Sequence, residues 1–263
     1  MPAHPRRNAI DRLVRQKDGK LKLRRQLDKP VVLVLGTGWG AQSLIKVIDT
    51  DLYEVICVSP RNHFIFTPML PSTAVGTIEF RSLLEPIRNC NPFATYFEAT
   101  CDAIDPDKKV ARCTGAVAFR DGRRPEFEVE YDTLVVAVGE QPSTFGVPGV
   151  AEHAFFMKEI TDAVKLRRRT QEVFELAALP GTSEEDRARL LHFVVVGGGP
   201  TGVEFAGAQA ARAPWPGRFL LQPWTRFEAD FHQLLGSFAI QSGHEFRSAI
   251  HPYPAVAAHS TAR

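Results

Sequence analysis

Val31-Val32-Leu33-Val34-Leu35 is an apolar, β-branched run that ends abruptly in Gly36-Thr37-Gly38-Trp39-Gly40-Ala41, after which a helix-like pattern resumes. The same event recurs 161 residues further on, where the strand-like stretch from Leu190 to Val196 runs into Gly197-Gly198-Gly199-Pro200-Thr201-Gly202. The first turn has the form G-x-G-x-x-A and the second G-x-G-x-x-G. A strand that bends sharply into a helix needs a first small residue for the turn. A second small residue lets a phosphate approach the backbone, and a third lets the helix pack on the strand. The unpaired N–H groups of the new helix then favour an anion. One such turn is a weak signal, but two in strand and helix context imply two dinucleotide-binding folds.

The intervening chain fits that plan. Ser43 to Ile48 reads as an amphipathic helix and Tyr53 to Ser59 as a second strand, which completes a βαβ opening. The end of such a strand usually carries an acid for the adenosine ribose. Here it reads Ser59-Pro60-Arg61-Asn62. The missing acid leaves three readings: no nucleotide, a phosphorylated ribose met by Arg61, or a ribose held by Ser59 and Asn62. The apolar stretch Phe64 to Pro71 reads as a loop that must pack on a wall, either crossing the core or lining a flat cofactor ring. A helix is predicted from about Arg81 to Arg88. Ala94–Ile104, Lys109–Cys113 and Phe127–Tyr131 follow as an antiparallel insertion. Thr133 to Gly139 then reads as a parallel strand buried on both faces. Glu159 to Leu179 is predicted helical, its apolar residues being Ile160, Val164, Val173, Phe174 and Leu176. Its basic patch, Lys165, Arg167, Arg168 and Arg169, reads as a solvated face.

Charge is concentrated at one end. Residues 1–30 hold ten Lys/Arg against three aspartates, so they carry +7 in a chain whose net charge is +2, and the rest carries −5. Residues 1–29 read as a basic arm, most simply a solvated leader. They have no apolar h-region for secretion and no aromatics for nucleic acid, so no nucleic-acid partner is expected. Cys57, Cys90, Cys101 and Cys113 show no metal-type spacing, and they read as reduced thiols in a protein without a metal site. No run is long enough for a transmembrane helix.

Residues from about 30 to 208 resemble the type II (alternative, rotenone-insensitive) NADH:quinone oxidoreductases, a branch of the FAD-dependent pyridine nucleotide-disulphide oxidoreductase superfamily. The resemblance lies in Val31–Ala41, in Ser59-Pro60-Arg61-Asn62 with Phe66 to Pro71, in Thr133–Gly139 with Phe145 to Gly149, and in Phe193–Phe205. It implies an α/β chain of two Rossmann-like folds with a small antiparallel β insertion, the second fold incomplete. Residues 30–150 would form the first part of the FAD-binding domain and 151–212 the start of the NADH-binding domain. Gly36, Gly38, Gly40 and Ala41 would cradle the FAD pyrophosphate, with Thr37 and Trp39 lining the turn. The resemblance gives the adenosine half to Ser59, Pro60 and Arg61, the isoalloxazine edge to Thr67 and Pro68, and the space beneath the flavin to Ala137, Val138 and Gly139. Gly197, Gly198, Gly199, Pro200, Thr201 and Gly202 would take the NADH pyrophosphate. Glu204 would stand near the nicotinamide as the catalytic candidate; the alternative is an ordinary first-turn glutamate favoured by the helix dipole.

The same resemblance implies a hydride passed from NADH to flavin and two electrons passed on to a quinone. It implies peripheral association with the mitochondrial inner membrane, with plastid and peroxisome as alternatives, and it allows a homodimer. Beyond Gln209 the pattern stops. Pro214, Pro216 and Pro223 interrupt it, no second strand ending in an acid is legible, and His232, His244, His251 and His259 match no metal motif. Residues 213–263 therefore read as an atypical tail on a C-terminally shortened member. Two other functions stay open: a nucleotide-binding remnant without activity, and a related flavoprotein reductase such as a sulfide:quinone oxidoreductase.

Overall fold

The computed structural model describes residues 13–15, 21–23, 29–144, 146–212 and 218–222. The remainder of the arm, Phe145 and the rest of the tail, with its histidines, lie outside the described residues. In chain order, β1 (Leu13–Arg15) and β2 (Leu21–Leu23) precede β3 (Val31–Leu35), α1 (Trp39–Val47) and β4 (Glu54–Ser59). Then come β5 (His63–Ile65), a 3-10 turn at Thr67–Met69, α2 (Leu70–Ala74), a second 3-10 turn at Phe80–Leu83, β6 (Leu84–Pro86) and α3 (Ile87–Cys90). Four strands follow: β7 (Thr95–Asp105), β8 (Val110–Gly115), β9 (Glu126–Glu130) and β10 (Thr133–Val136). The described part closes with α4 (Val150–His153), α5 (Ile160–Ala178), α6 (Glu184–Leu190), β11 (His192–Val196), α7 (Pro200–Arg212) and β12 (Arg218–Gln222).

Two compact units divide these elements. One holds the described residues up to Ile65 together with Leu84–Glu140, and the other holds Phe66–Leu83 together with those from Gln141 onward.

The first unit is built on an eight-stranded sheet in the order β1-β2-β9-β8-β7-β4-β3-β10. β10, β3, β4 and the first part of β7 run parallel, which makes the expected βαβ opening. All five residues of β3 are buried because both faces are covered. Val31, Leu33 and Leu35 pack with Ile56, Val58 and Val129 on one side. Val32 and Val34 pack with Ile45 and Ala41 of α1 on the other. This period of two across a doubly covered sheet is why the run is continuously apolar. The predicted antiparallel segments are β7, β8 and β9, and β7 is long enough to pair parallel with β4 through Glu98 and antiparallel with β8 from Ala99.

Four expectations are corrected. No helix spans Arg81–Arg88, because Pro86 lacks the N–H a helix interior requires; the segment is a 3-10 turn, a strand and a short helix. Phe64 and Ile65 are not loop but part of β5, which pairs antiparallel with β6. β10 is not buried on both faces. It ends the sheet, and Val136 and, just beyond it, Val138 are 63% and 69% exposed. Parts of the basic arm are strands rather than solvated leader: β1 pairs with β2, β2 lies parallel to β9, and Lys22 forms an ion pair with Glu130.

The second unit repeats the strand, turn and helix order. β11 leads through the second glycine turn into α7, and β12 pairs parallel with β11, His192 opposite Arg218 through Val196 opposite Gln222. A second strand therefore exists where none was legible, and it ends at Gln222 without an acid. α5 begins with a capping box in which Glu159 and Asp162 bond to each other's backbone, as its predicted start requires. Its buried face is Ala163, Thr170, Val173 and Ala177, while Val164 and Leu176 are exposed. Arg167 is not simply solvated. It lies against Gly76 and bonds to Glu79 at 3.2 Å. Ser183 caps α6, a helix absent from the sequence reading. Among the described residues no helix is long and apolar enough to cross a membrane.

Candidate dinucleotide-binding turns

The first turn is fixed by backbone geometry. Gly36 adopts φ +108°, and a Cβ there would lie 2.2 Å from the Ala137 carbonyl oxygen. Its N–H donates to Val58 O at 2.9 Å, and the Cys57 thiol donates to its carbonyl at 3.3 Å. Glycine at 36 is thus demanded by the protein itself. Gly38 is different. It is the N-cap of α1 at an ordinary φ of −77°, and the nearest atom to a Cβ there is Nη2 of Arg61, 3.9 Å away. Among the described residues nothing forbids a side chain at 38, so the small residue keeps space for something outside the chain. α1 has neither a side-chain cap nor an acidic residue in its first turn. The N-terminal end of its dipole and the Arg61 guanidinium therefore present positive potential to that space. These residues fit the pyrophosphate of a dinucleotide.

Other predicted residues hold the turn. Thr37 is buried, and its hydroxyl reaches Arg61 O at 2.9 Å, His63 O at 3.1 Å and Ser59 Oγ at 3.3 Å. Ser59 is also buried. Its Oγ accepts from Arg61 N–H at 3.2 Å, and its carbonyl accepts from the Tyr96 hydroxyl at 2.8 Å. The pair fixes the 59–63 loop so that Arg61 faces Gly38, while Pro60 is exposed. Trp39 is 48% exposed and packs edge-on against Phe64, ring centres 4.8 Å apart. Ala41 is fully buried under β3, the packing role of a third small residue. Ala137 lies alongside the turn, bonding to Leu35 O and meeting the Cβ position of Gly40 at 3.8 Å. Val138 and Gly139 continue outward, exposed. Thr67 and Pro68 belong to the second unit, in the 3-10 turn before α2.

The sequence reading missed Tyr96 and Asp132. Asp132 Oδ2 accepts from Val31 N–H at 2.7 Å and anchors the start of β3. Its position one residue before an apolar strand was the available signal.

The second turn repeats the logic independently. Gly197 has φ +109°, within a degree of Gly36. A Cβ on Gly202 would lie 2.0 Å from Gly197 O, so close helix packing requires glycine there. Gly198 and Gly199 have nothing within 4 Å of their Cβ positions. Pro200 opens α7, where its missing N–H costs nothing, and Thr201 is exposed beside it. Glu204 is exposed and lies past the first turn of α7, where the dipole effect has faded. No group of three potential metal ligands occurs among the described residues.

Two glycine turns of one geometry, each between a strand and an uncapped or Pro-opened helix, define a two-dinucleotide α/β protein. The chain belongs to the pyridine nucleotide-disulphide oxidoreductase family, whose model matches residues 30–214. It is 50% identical over 181 residues to the mitochondrial external alternative NAD(P)H-ubiquinone oxidoreductase B2 of Arabidopsis thaliana, covering 68% of this chain and 31% of that one. It is 49% identical over 186 residues to the mitochondrial internal alternative NAD(P)H-ubiquinone oxidoreductase A1 of Solanum tuberosum, covering 68% and 38%. The structure of NDH2 from Plasmodium falciparum in complex with NADH superposes with a TM-score of 0.63 at 35% identity, over 69% of this chain and 37% of that one. The chain thus spans about a third of the length of the curated relatives it matches.

Proposed function

We propose that this chain is the dinucleotide-binding part of an NAD(P)H:quinone oxidoreductase, with FAD in the first turn and NADH in the second. The observation that carries this reading is the pair of turns in which the fold's own glycines, Gly36 and Gly197, are followed by glycines that the fold does not need, Gly38 and Gly199. The relatives' names support the donor and acceptor. When bound, FAD supplies hydride acceptance from a nicotinamide and two-electron delivery to a quinone.

The chain's own residues bind and orient. The α1 N-terminus and Arg61 hold the FAD pyrophosphate over Gly38 and Gly40, with Thr37 and Ser59 fixing the loop that carries Arg61. Pro60 borders the adenosine half. Ala137, Val138 and Gly139 form a strip beneath the flavin, and Thr67 and Pro68 border its ring system. Gly197 to Gly202 hold the NADH pyrophosphate at α7. Glu204 stands beside the nicotinamide and positions it. β12 ends in Gln222 rather than in an acid, and NADPH is a donor worth comparing with NADH. We place the protein peripherally on the mitochondrial inner membrane, with quinone as partner, and a homodimer as its assembly.

The purified full chain is tested by its visible spectrum. The reading predicts a flavin absorbance in one-to-one ratio, bleached by NADH and restored by a soluble quinone. A chain that stays colourless after incubation with FAD overturns it. A yellow chain that NADH does not bleach removes the oxidoreductase part and leaves a nucleotide-binding remnant.

A further inference from the structure

Cys101 and Cys113 take no part in either turn, yet strand register sets them directly opposite each other on β7 and β8. The phase of the hydrogen bonds fixes what kind of pair they are. Ala116 N–H donates to Glu98 O at 2.9 Å, so Glu98 and Ala116 are a hydrogen-bonded pair. Alternation along an antiparallel ladder makes Ala99 and Gly115 a non-bonded pair, Thr100 and Thr114 a bonded one, and Cys101 and Cys113 non-bonded. At non-bonded sites the Cα atoms approach to about 4.5 Å and the side chains lie closest. That separation is inside the range of about 4.4–6.8 Å that a disulfide spans. The Cys101 thiol itself donates to Ala103 O at 3.7 Å.

We infer that Cys101 and Cys113 form a thiol oxidation site that closes to a cross-strand disulfide under a low-molecular-weight disulfide oxidant. The two sulfurs divide the work. Cys101 is half-buried, whereas Cys113 is buried in the core beside Val129 and Ala111. Burial pushes Cys113 up to about 12 and raises Cys101 as well, but Cys101 is the less enclosed of the two. Cys101 is therefore the attacking thiol and Cys113 the resolving one. A bulge at Cys101/Ala103 sets Asp102 outside the pairing, where it takes the Thr100 and Thr114 hydroxyls at 3.1 and 2.6 Å. That break in the ladder gives β7 local freedom to draw the sulfurs into bonding distance.

With glutathione disulfide as oxidant, the Cys101 thiolate attacks one sulfur, forms a mixed disulfide and expels one glutathione thiolate. The Cys113 thiolate then attacks the Cys101 sulfur and expels the second. Two protein thiols lose two electrons and two protons, and one glutathione disulfide becomes two glutathione molecules. Cys57 and Cys90 stay out of the exchange, the first buried with its thiol on Gly36 O and the second at the end of α3 with its thiol on Pro86 O.

The test is alkylation of the full chain after incubation with glutathione disulfide, read by intact mass and by non-reducing peptide mapping. Alkylatable cysteines should fall from four to two, and one linked peptide should join Cys101 to Cys113. Cys113→Ser should retain a single glutathione on Cys101, and Cys101→Ser should acquire none at Cys113 while folded. Should Cys113→Ser not fold, Cys113→Ala replaces it, and the wild-type linkage stands by itself. Four alkylated cysteines, or a link involving Cys57 or Cys90, overturns the inference.

Discussion

Gly36 and Gly38 are two residues apart and have opposite reasons to be glycine, so one methyl at each should separate folding from binding. At Gly36 a Cβ must occupy φ +108° and meets a backbone carbonyl oxygen at 2.2 Å, where no flexible side chain can yield. Strained backbone of that kind costs about 1–3 kcal/mol. Overpacking in a tight site costs about 1–3 kcal/mol more. Gly36→Ala should therefore lose roughly 2–6 kcal/mol, a large share of a domain stability of about 5–15 kcal/mol. At Gly38 the added Cβ meets only the end of Arg61 at 3.9 Å, and the φ is ordinary. Alanine is a poorer N-cap than glycine, so Gly38→Ala should cost no more than about 1 kcal/mol. Its methyl does fill the phosphate approach. Losing one charge-assisted hydrogen bond of about 1.5–3 kcal/mol lowers FAD affinity roughly ten- to hundredfold. Urea unfolding of flavin-free protein measures the first effect, and FAD titration by flavin fluorescence the second. Flavin-free protein is required because a bound ligand adds its own stabilisation. A stable Gly36→Ala, or a Gly38→Ala that binds FAD like wild type, refutes the reasoning.

Thr37→Val should destabilise flavin-free protein by about 1–3 kcal/mol in urea, since the Arg61 and His63 carbonyls lose a buried donor. Glu159→Ala should weaken α5 by about 1 kcal/mol through its capping box, seen as faster hydrogen exchange in the first turn of that helix. Cys57 is held above its usual value of 9.0, at about 12, by burial, so the folded chain keeps a proton that the unfolded chain releases. Its contribution is complete below pH 9 and is lost as pH rises toward 12. The slope of unfolding free energy against pH in that window should flatten in Cys57→Ala by up to about 1.4 kcal/mol per pH unit.

The sheet core and both turns were legible because a doubly covered strand must be continuously apolar and a strand-to-helix bend must be small. Val31–Leu35 and Gly197–Gly202 leave little choice. Pro86 was a visible signal that the predicted helix at 81–88 overrode. β10 reads the same as β3 in sequence, and only its place at the end of the sheet leaves Val136 exposed. β12 was missed because Phe219, Leu220 and Leu221 are flanked by prolines and lack β-branching; its pairing with β11 is a tertiary decision. In the site, the glycines were legible but the destinations of Thr37 and Ser59 were not. A hydroxyl in a turn is equally suited to a ribose or to a neighbouring carbonyl, and the return of residues 59–63 to Thr37 settles the matter.

The central claim is that the two turns are separate dinucleotide sites, and binding stoichiometry tests it most directly. Equilibrium dialysis of the full chain should give one FAD and one NADH per chain. Gly38→Ala should weaken FAD alone, and Gly199→Ala should weaken NADH alone. A single site that both variants disable, or no binding of either dinucleotide, contradicts the account.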